Sequence, residues 1–168
     1  MDKHNMSSPQ LSDIIMPRVS CYLGIDPGVR GGIAYVSGHD AEAWPMPIIG
    51  NEIDVAAIRR LLLDIKPDVA IIEKALVMPR QGGVSAYTIG RNYGMLLTLL
   101  LVHQIRTEEV SPSQWKKSMG VSSDKDSSIM LASKLFPTVE LVVSGRRKHH
   151  DGLAEALLLA EYGRRRMK

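Results

Sequence analysis

The sequence predicts an α/β fold in which helices flank a mixed five-stranded sheet, and three observations carry that expectation. Three apolar runs near the start are separated by short glycine-containing turns, DPGVRG and SGHD, which favour antiparallel hairpins. Two later apolar runs alternate with segments of helical period, the pattern of strands joined through helices. The chain has 168 residues, 45% of them apolar, enough for one domain with a sizeable core.

Residues 1–18 are polar and irregular and read as a disordered arm, so the expected organisation is that arm followed by a single domain over residues 19–168. Val19 to Asp26 (VSCYLGID) reads as a buried strand, Gly31 to Val36 as a second and Ala41 to Trp44 as a short third. Val55, Ile58, Leu61 and Leu62 share one helical face, with Asn51 as the expected N-cap, and Lys66-Pro67-Asp68 stops that helix. The continuous run Val69 to Ile72 is a fourth strand, buried on both faces. A loop from Met78 to Gly83 leads to a long helix from about Ser85 to His103, and Ile105 to Val110 supplies the fifth strand. Ser111-Pro112-Ser113-Gln114 is a capping-box pattern with proline at the first helical position. Another helix starts within Ser123 to Asp126 and is ended by Pro137, and the last runs from about Asp151 to Arg164. The sequence has no internal repeat.

Composition narrows the function classes. A membrane span needs roughly 18 consecutive apolar residues, whereas the longest candidate, Met95 to Val102, is short and interrupted by Thr98. The N-terminal segment has no apolar core beside a basic flank and carries Asp2 and Asp13, which argues against a secretory or transit signal. The single cysteine, Cys21, sits in an apolar run, reads as core and suits a reducing cytosol, so a cytoplasmic location is expected. The formal net charge is +3, with basic residues clustered at Arg146, Arg147 and Lys148 and again at Arg164, Arg165, Arg166 and Lys168. Such blocks are solvated surface as often as they are footprints for a polyanion.

The acidic residues are more informative. Asp26 ends an apolar strand placed in the centre of the sheet, where a carboxylate needs something to compensate its charge. Glu73 repeats the arrangement at the end of VAII. Either alone is more often a salt-bridge or turn residue; two at matching strand ends point to a shared cation. Asp151 and Glu155, four apart, project from one face of the last helix, which Leu153, Ala156, Leu157 and Ala160 dock against the sheet. The plainer reading makes Asp151 an N-cap and Glu155 a solvated charge. It loses ground because His149 and His150 precede the acidic face and two strand-end carboxylates are already present. An all-oxygen donor set suits Mg²⁺ or Mn²⁺, and two such ions about 4 Å apart can activate water and stabilise the leaving oxygen of a phosphodiester. No G-x-S-x-G elbow and no zinc spacing of Cys and His occurs.

Five segments, taken together, resemble a known family. GIDPGVRGGIAYV is similar to the opening hairpin of RuvC-type Holliday junction resolvases of the RNase H-like superfamily, and KPDVAIIEK to their fourth strand. VSAYTIGRNYGMLL resembles the long helix that follows, VSPSQWKKSMGVSSDKDSS the segment with two basic residues near the site, and DGLAEALLLAEYG the terminal helix. The resemblance spans about Tyr22 to Gly163. It implies an RNase H-like fold and a metal-dependent crossover junction endodeoxyribonuclease, a hydrolase that makes paired symmetric nicks in four-way DNA in recombination and repair. Asp26 and Glu73 take the places of family metal ligands, and Lys116 and Lys125 those of the two cations near the scissile phosphate. The last helix departs from the family, which spaces two acids, or a histidine and an acid, three apart. Glu155 as the terminal ligand and Asp151 as the principal ligand with a histidine beside it both stay open, and His150 is carried as a further participant.

The resemblance also implies branched DNA as substrate and a homodimer that presents two sites to opposed strands, with no helicase partner specified, and the compact chain and unusual final helix suit a bacterial or phage-infected cell. Lys74, Arg80, Gln81, Tyr87, Lys116, Lys117, Lys125, Arg146, Arg147 and Lys148 are the candidate DNA contacts. A strip on the long helix, Tyr93, Leu96, Leu97 and Leu100, suits core packing and dimer contact alike. Three rival readings remain: an RNase H-like nuclease of flaps, forks or structured RNA, an ATP-handling enzyme with the same aspartate-glycine turn, and a non-catalytic DNA-binding module. The second lacks another phosphate loop, and the third has no use for four converging acids.

Overall fold

The computed structural model describes residues 19–76, 82–122, 124–143 and 149–167, with the Lys125 side chain also outside the description. In chain order the elements are β1 (Cys21–Asp26), β2 (Gly32–Ser37), β3 (Asp40–Pro45), β4 (Ile48–Ile49), β5 (Glu52–Ile53) and α1 (Val55–Ile65). There follow β6 (Val69–Glu73), α2 (Gly83–Val102), β7 (Arg106–Val110), α3 (Pro112–Met119), α4 (Lys125–Leu135) and α5 (Asp151–Arg166). The expected arm over residues 1–18 lies outside the described residues.

Five strands form one sheet in the order β3-β2-β1-β6-β7. The glycine turns make β1, β2 and β3 an antiparallel meander, and β6 and β7 join parallel to β1 on its other side. This is the mixed five-stranded sheet that the alternation of elements predicts, with β1 at its centre. Side chains alternate across a strand, so Leu23, Ile25, Ala70 and Ile72 pack beneath α1 and α2. Tyr22, Val69 and Ile71 point to the other face, against α5 and the helices outside it. Asp26 and Glu73 have the same parity as this second set, and the register Ile25↔Ile72 leaves them side by side at the strand ends. Both therefore face α5.

α5 is buried almost all round, from Gly152 to Gly163. It lies unusually close to β1: a Cβ at Gly24 would stand 1.9 Å from the Ala156 carbonyl oxygen and 2.5 Å from the Ala160 nitrogen. At its N-terminal end, a Cβ at Gly152 would meet the Arg30 carbonyl oxygen at 2.6 Å. Backbone thus rests on backbone at two points, and no side chain separates the start of α5 from the turn after β1. Inserting even a methyl group there overpacks the interface at a cost of about 1–3 kcal/mol or more.

Local capping corrects one expectation and refines another. The N-cap of α1 is Asp54, whose Oδ1 accepts from the Ala57 N–H at 2.9 Å. Asn51 lies instead in the turn between β4 and β5, a small hairpin that sequence periodicity does not reveal because each strand has only two residues. Ser111 caps α3 as expected, accepting from Gln114 N, but Gln114 does not close the box, because its amide donates to the Tyr162 hydroxyl at 3.1 Å. Along α2, Leu96, Leu99 and Leu100 are core, with Tyr93 and Leu97 packed beside them. The predicted strip is therefore an inward face, and the outer face carries the exposed Tyr87, Gly90, Gly94, Thr98 and Leu101.

Candidate active site

Three elements bring the four predicted acids together. Asp26 stands at the end of β1 and Glu73 at the end of β6, and α5 lays Asp151 and Glu155 across them through the Gly24 and Gly152 contacts. The acids are near enough for their charges to act on Asp26. Asp26 is pushed up to about 7, first by burial, then by the negative charges of Glu155 and Glu73, and with a smaller push from Asp151. The Gly28 N–H, 3.5 Å from its Oδ1, offsets only part of this. Glu73 is also raised: burial dominates, the Trp115 indole opposes it, Glu155 adds to it, and Lys116 opposes it.

α3 follows β7 directly, and β7 pairs with β6 up to Val110 opposite Glu73. Its first turn therefore falls beside the acids. Lys116 Nζ lies 2.7 Å from Glu155 Oε1 and 5.2 Å from the centre of the Trp115 ring. The Trp115 indole N–H donates to Glu73 Oε2 at 2.5 Å, and the fully buried Ser128 hydroxyl on α4 donates to Glu155 Oε1 at 3.3 Å. Trp115 and Ser128 are the contacts that sequence reasoning missed. Trp115 stands next to Lys116 in SPSQWKK, but indole and hydroxyl side chains carry no ligand pattern of their own.

Asp26 and Glu73 open onto a cleft of about 1050 Å³ whose walls include Val29, Leu76, Val84 and Ile89. Lys74 lines it, with its backbone N–H bonded to the Val110 carbonyl. Tyr87, expected near the site, is exposed on the outside of α2, and Ser85, Thr88 and Ile89 line the cleft instead. Lys117 is exposed on α3. His150 is the N-cap residue of α5, next to Asp151, and its backbone N–H donates to the Leu141 carbonyl at 2.7 Å. Arg80, Gln81, Arg146, Arg147 and Lys148, and the Lys125 side chain, lie outside the described residues. Three residues of the C-terminal basic cluster are engaged within the chain: Arg164 and Arg165 grip Glu161, and Arg166 lies over the Tyr162 ring, while Lys168 lies outside the described residues.

Four carboxylates form a hard oxygen donor set suited to Mg²⁺ or Mn²⁺. Among the described residues, no three acidic, histidine or cysteine side chains converge to chelating distance as they stand. Two of them are drawn to other partners, Glu73 to Trp115 and Glu155 to Lys116 and Ser128. The chemistry nonetheless fits a divalent cation. Like charges crowd Asp26 enough to raise it to about 7, and positive charge placed among them would reverse that effect. Among the described residues, no helix is long and apolar enough to cross a membrane.

No protein-family model matches the chain. A chloroplastic Holliday junction resolvase of Chlamydomonas reinhardtii is 31% identical over 93 residues, 54% of this chain and 10% of that protein. The chain thus spans about a tenth of the length of the curated relative it matches. Among solved structures, RuvC of Thermus thermophilus in complex with a Holliday junction substrate superposes with a TM-score of 0.65 at 18% identity, covering 87% of this chain and 95% of that one. A second structure of Thermus thermophilus RuvC gives 0.57 at 15% identity, over 86% and 95% of the two chains. The yeast mitochondrial Holliday junction resolvase gives 0.52 at 15%, over 86% and 78%. These likenesses establish that the chain has the RuvC, RNase H-like fold.

Proposed function

We propose that the chain is a metal-dependent endonuclease that resolves four-way DNA junctions by paired symmetric nicks. One observation carries the reading: acids from β1, β6 and α5 crowd around Asp26 beside a cleft, with the α3 lysine at their edge. Buried like charges are costly to hold together, and a binding module or a purely structural site has no use for them. The fold adds support, since similar solved structures include RuvC in complex with a Holliday junction substrate and a yeast mitochondrial Holliday junction resolvase.

In this reading Asp26, Glu73, Asp151 and Glu155 hold two Mg²⁺ or Mn²⁺ ions, with His150 beside them. When bound, such ions activate water and stabilise the leaving oxygen. Asp26 is the central ligand, because every other acid presses on it. Lys116, held at Glu155, presents its ammonium where charge grows on the phosphate. Lys74 and Lys117, with Arg80, Lys125, Arg146, Arg147 and Lys148, supply phosphate contacts along the strands; Gln81 and Tyr87 complete the candidate DNA contacts. Two chains act together as a homodimer, and we place the contact on the outer face of α2, where Tyr87, Gly90, Gly94, Thr98 and Leu101 are exposed. The single nuclease domain starts near residue 19. The buried lone Cys21 fits a reducing compartment, the cytoplasm of a bacterial or phage-infected cell.

The experiment is nicking of a labelled, immobile four-way junction in Mg²⁺, beside linear duplex, flap and RNA–DNA hybrid controls. Paired symmetric nicks confined to the junction and abolished by EDTA are expected. Equal cutting of flaps or hybrids would leave the metal site and overturn the substrate. Tight junction binding with no cutting would overturn the catalytic reading.

A further inference from the structure

The proposed ligands need more than proximity, because a glutamate at a strand end has three side-chain torsions and a carboxylate that can turn away. Glu73 stands at the end of β6, and one donor among the described residues fixes it: the indole N–H of Trp115, 2.5 Å from Oε2. Trp115 is completely buried, and its ring packs in the cluster formed by α3, α4 and α5. It therefore has no free rotamer into which to swing. Its placement follows from the chain: Val110 pairs opposite Glu73, Ser111 caps α3, Pro112 occupies the first helical position, and one turn brings Trp115 back over the strand end. A buried indole N–H requires an acceptor, and here the acceptor is a proposed ion ligand. Only Oε2 is engaged among the described residues, which leaves Oε1 for another partner.

We infer that Trp115 is a positioning residue, whose indole N–H sets the orientation in which Glu73 offers its second oxygen to a divalent cation. This rests on the proposed metal-dependent reading and deepens it. Groups that hold a ligand from behind typically matter by 10–100-fold in metal affinity. The neighbouring Lys116 differs in role, because its ammonium reaches Glu155 and the substrate side, whereas Trp115 is sealed from solvent.

The test separates the N–H from the packing of the ring. Trp115 is replaced site-specifically by benzothienylalanine, which keeps the bicyclic shape and puts sulfur where the N–H was. Trp115→Phe is the simpler second variant, and Met119→Ala on the same helix controls for a loosened core. Mn²⁺ binding is measured by the electron paramagnetic resonance signal of free Mn²⁺, and junction binding is followed in EDTA. The benzothienyl chain should keep its melting temperature and its EDTA-stage junction affinity, while Mn²⁺ affinity falls about 10- to 100-fold. The Mg²⁺ concentration for half-maximal nicking should rise by the same factor, with the rate largely restored at saturating Mg²⁺. Unchanged Mn²⁺ affinity in the folded benzothienyl chain overturns the positioning role even if the wild type binds ions and cuts junctions. An equal loss in Met119→Ala overturns it too, since the effect would then be packing. A wild type that neither binds Mn²⁺ nor nicks any substrate overturns the metal-dependent reading itself and this inference with it.

Discussion

α5 meets buried acid at both ends, and the two ends settle the charge differently. Near its C-terminus Glu161, 2% exposed, is held by Arg164 at 2.6 Å and Arg165 at 2.7 Å. Burial pushes Glu161 up, but the two guanidiniums outweigh it and its carboxyl lies below the usual range. Near the N-terminus, the Lys116 ammonium is seated at Glu155, and Asp26 is driven to about 7 by burial and by the charges of Glu155, Glu73 and Asp151. One end is balanced by its own chain. At the other, like charges press on Asp26 and raise it, as expected if the crowded acids are the proposed ion site and the gripped glutamate is structural.

The two ends should respond oppositely to pH. Asp26 has its folded value above its ordinary 3.8, so the stability it allows is fully present below about pH 4 and declines as pH rises toward 7. Glu161 has its folded value below 4.5, so its contribution is present at neutral pH and is lost as pH falls through the acid range.

The largest expected effect comes from removing the charge at the crowded end. Asp26→Asn should lower junction nicking by at least about 100-fold. In EDTA near pH 7.5 the same variant should be more stable than the wild type by roughly 2–4 kcal/mol, a gain that fades toward pH 4. Urea denaturation at several pH values decides this, and a variant no more stable than its parent would break the contrast between the ends. Mg²⁺ at about 100 times its dissociation constant should stabilise the wild type by about 2.7 kcal/mol and Asp26→Asn by much less, as read from thermal melts. At the balanced end, Glu161→Gln should cost about 2 kcal/mol at neutral pH, since it strips two arginines of their partner. Nicking rates should stay within about twofold when assayed well below the melting temperature. The smallest effect concerns free and engaged cations. Lys74→Ala should reduce the salt dependence of junction binding by about 0.9 in log–log slope, whereas Arg165→Ala should leave that slope unchanged while lowering stability.

Much of this was legible in the sequence. Strand runs, glycine turns and the apolar face of the last helix indicate a mixed five-stranded sheet with the first strand at its centre, because they are written in local periodicity. The two strand-end acids could be found because they recur at matching ends of two apolar runs, which a lone salt-bridge or turn residue would not explain. Long-range acceptors were not legible. Nothing in SPSQWKK announces that the indole meets Glu73, since that contact depends on the β6–β7 register and the entry angle of α3. The Asn51 assignment failed because Asp54 is an equally good capping residue three positions on, and a two-residue hairpin intervenes. The stripe Gly152, Ala156, Ala160 was the visible trace of the close approach of α5, but its partner Gly24 lies far away in sequence.

That separation has a consequence for the timing of synthesis. Asp26 and Glu73 emerge from the ribosome early and can pair within the first part of the sheet, whereas α5 is made only after every strand and the four other helices. Domains fold as units, so a half-made polypeptide carries two of the four acids and none of the helix that completes the set. The close seat at Gly24 is filled by the backbone of α5, the last element made. In the proposed reading, the set of ion ligands is therefore incomplete until the last helix has been made.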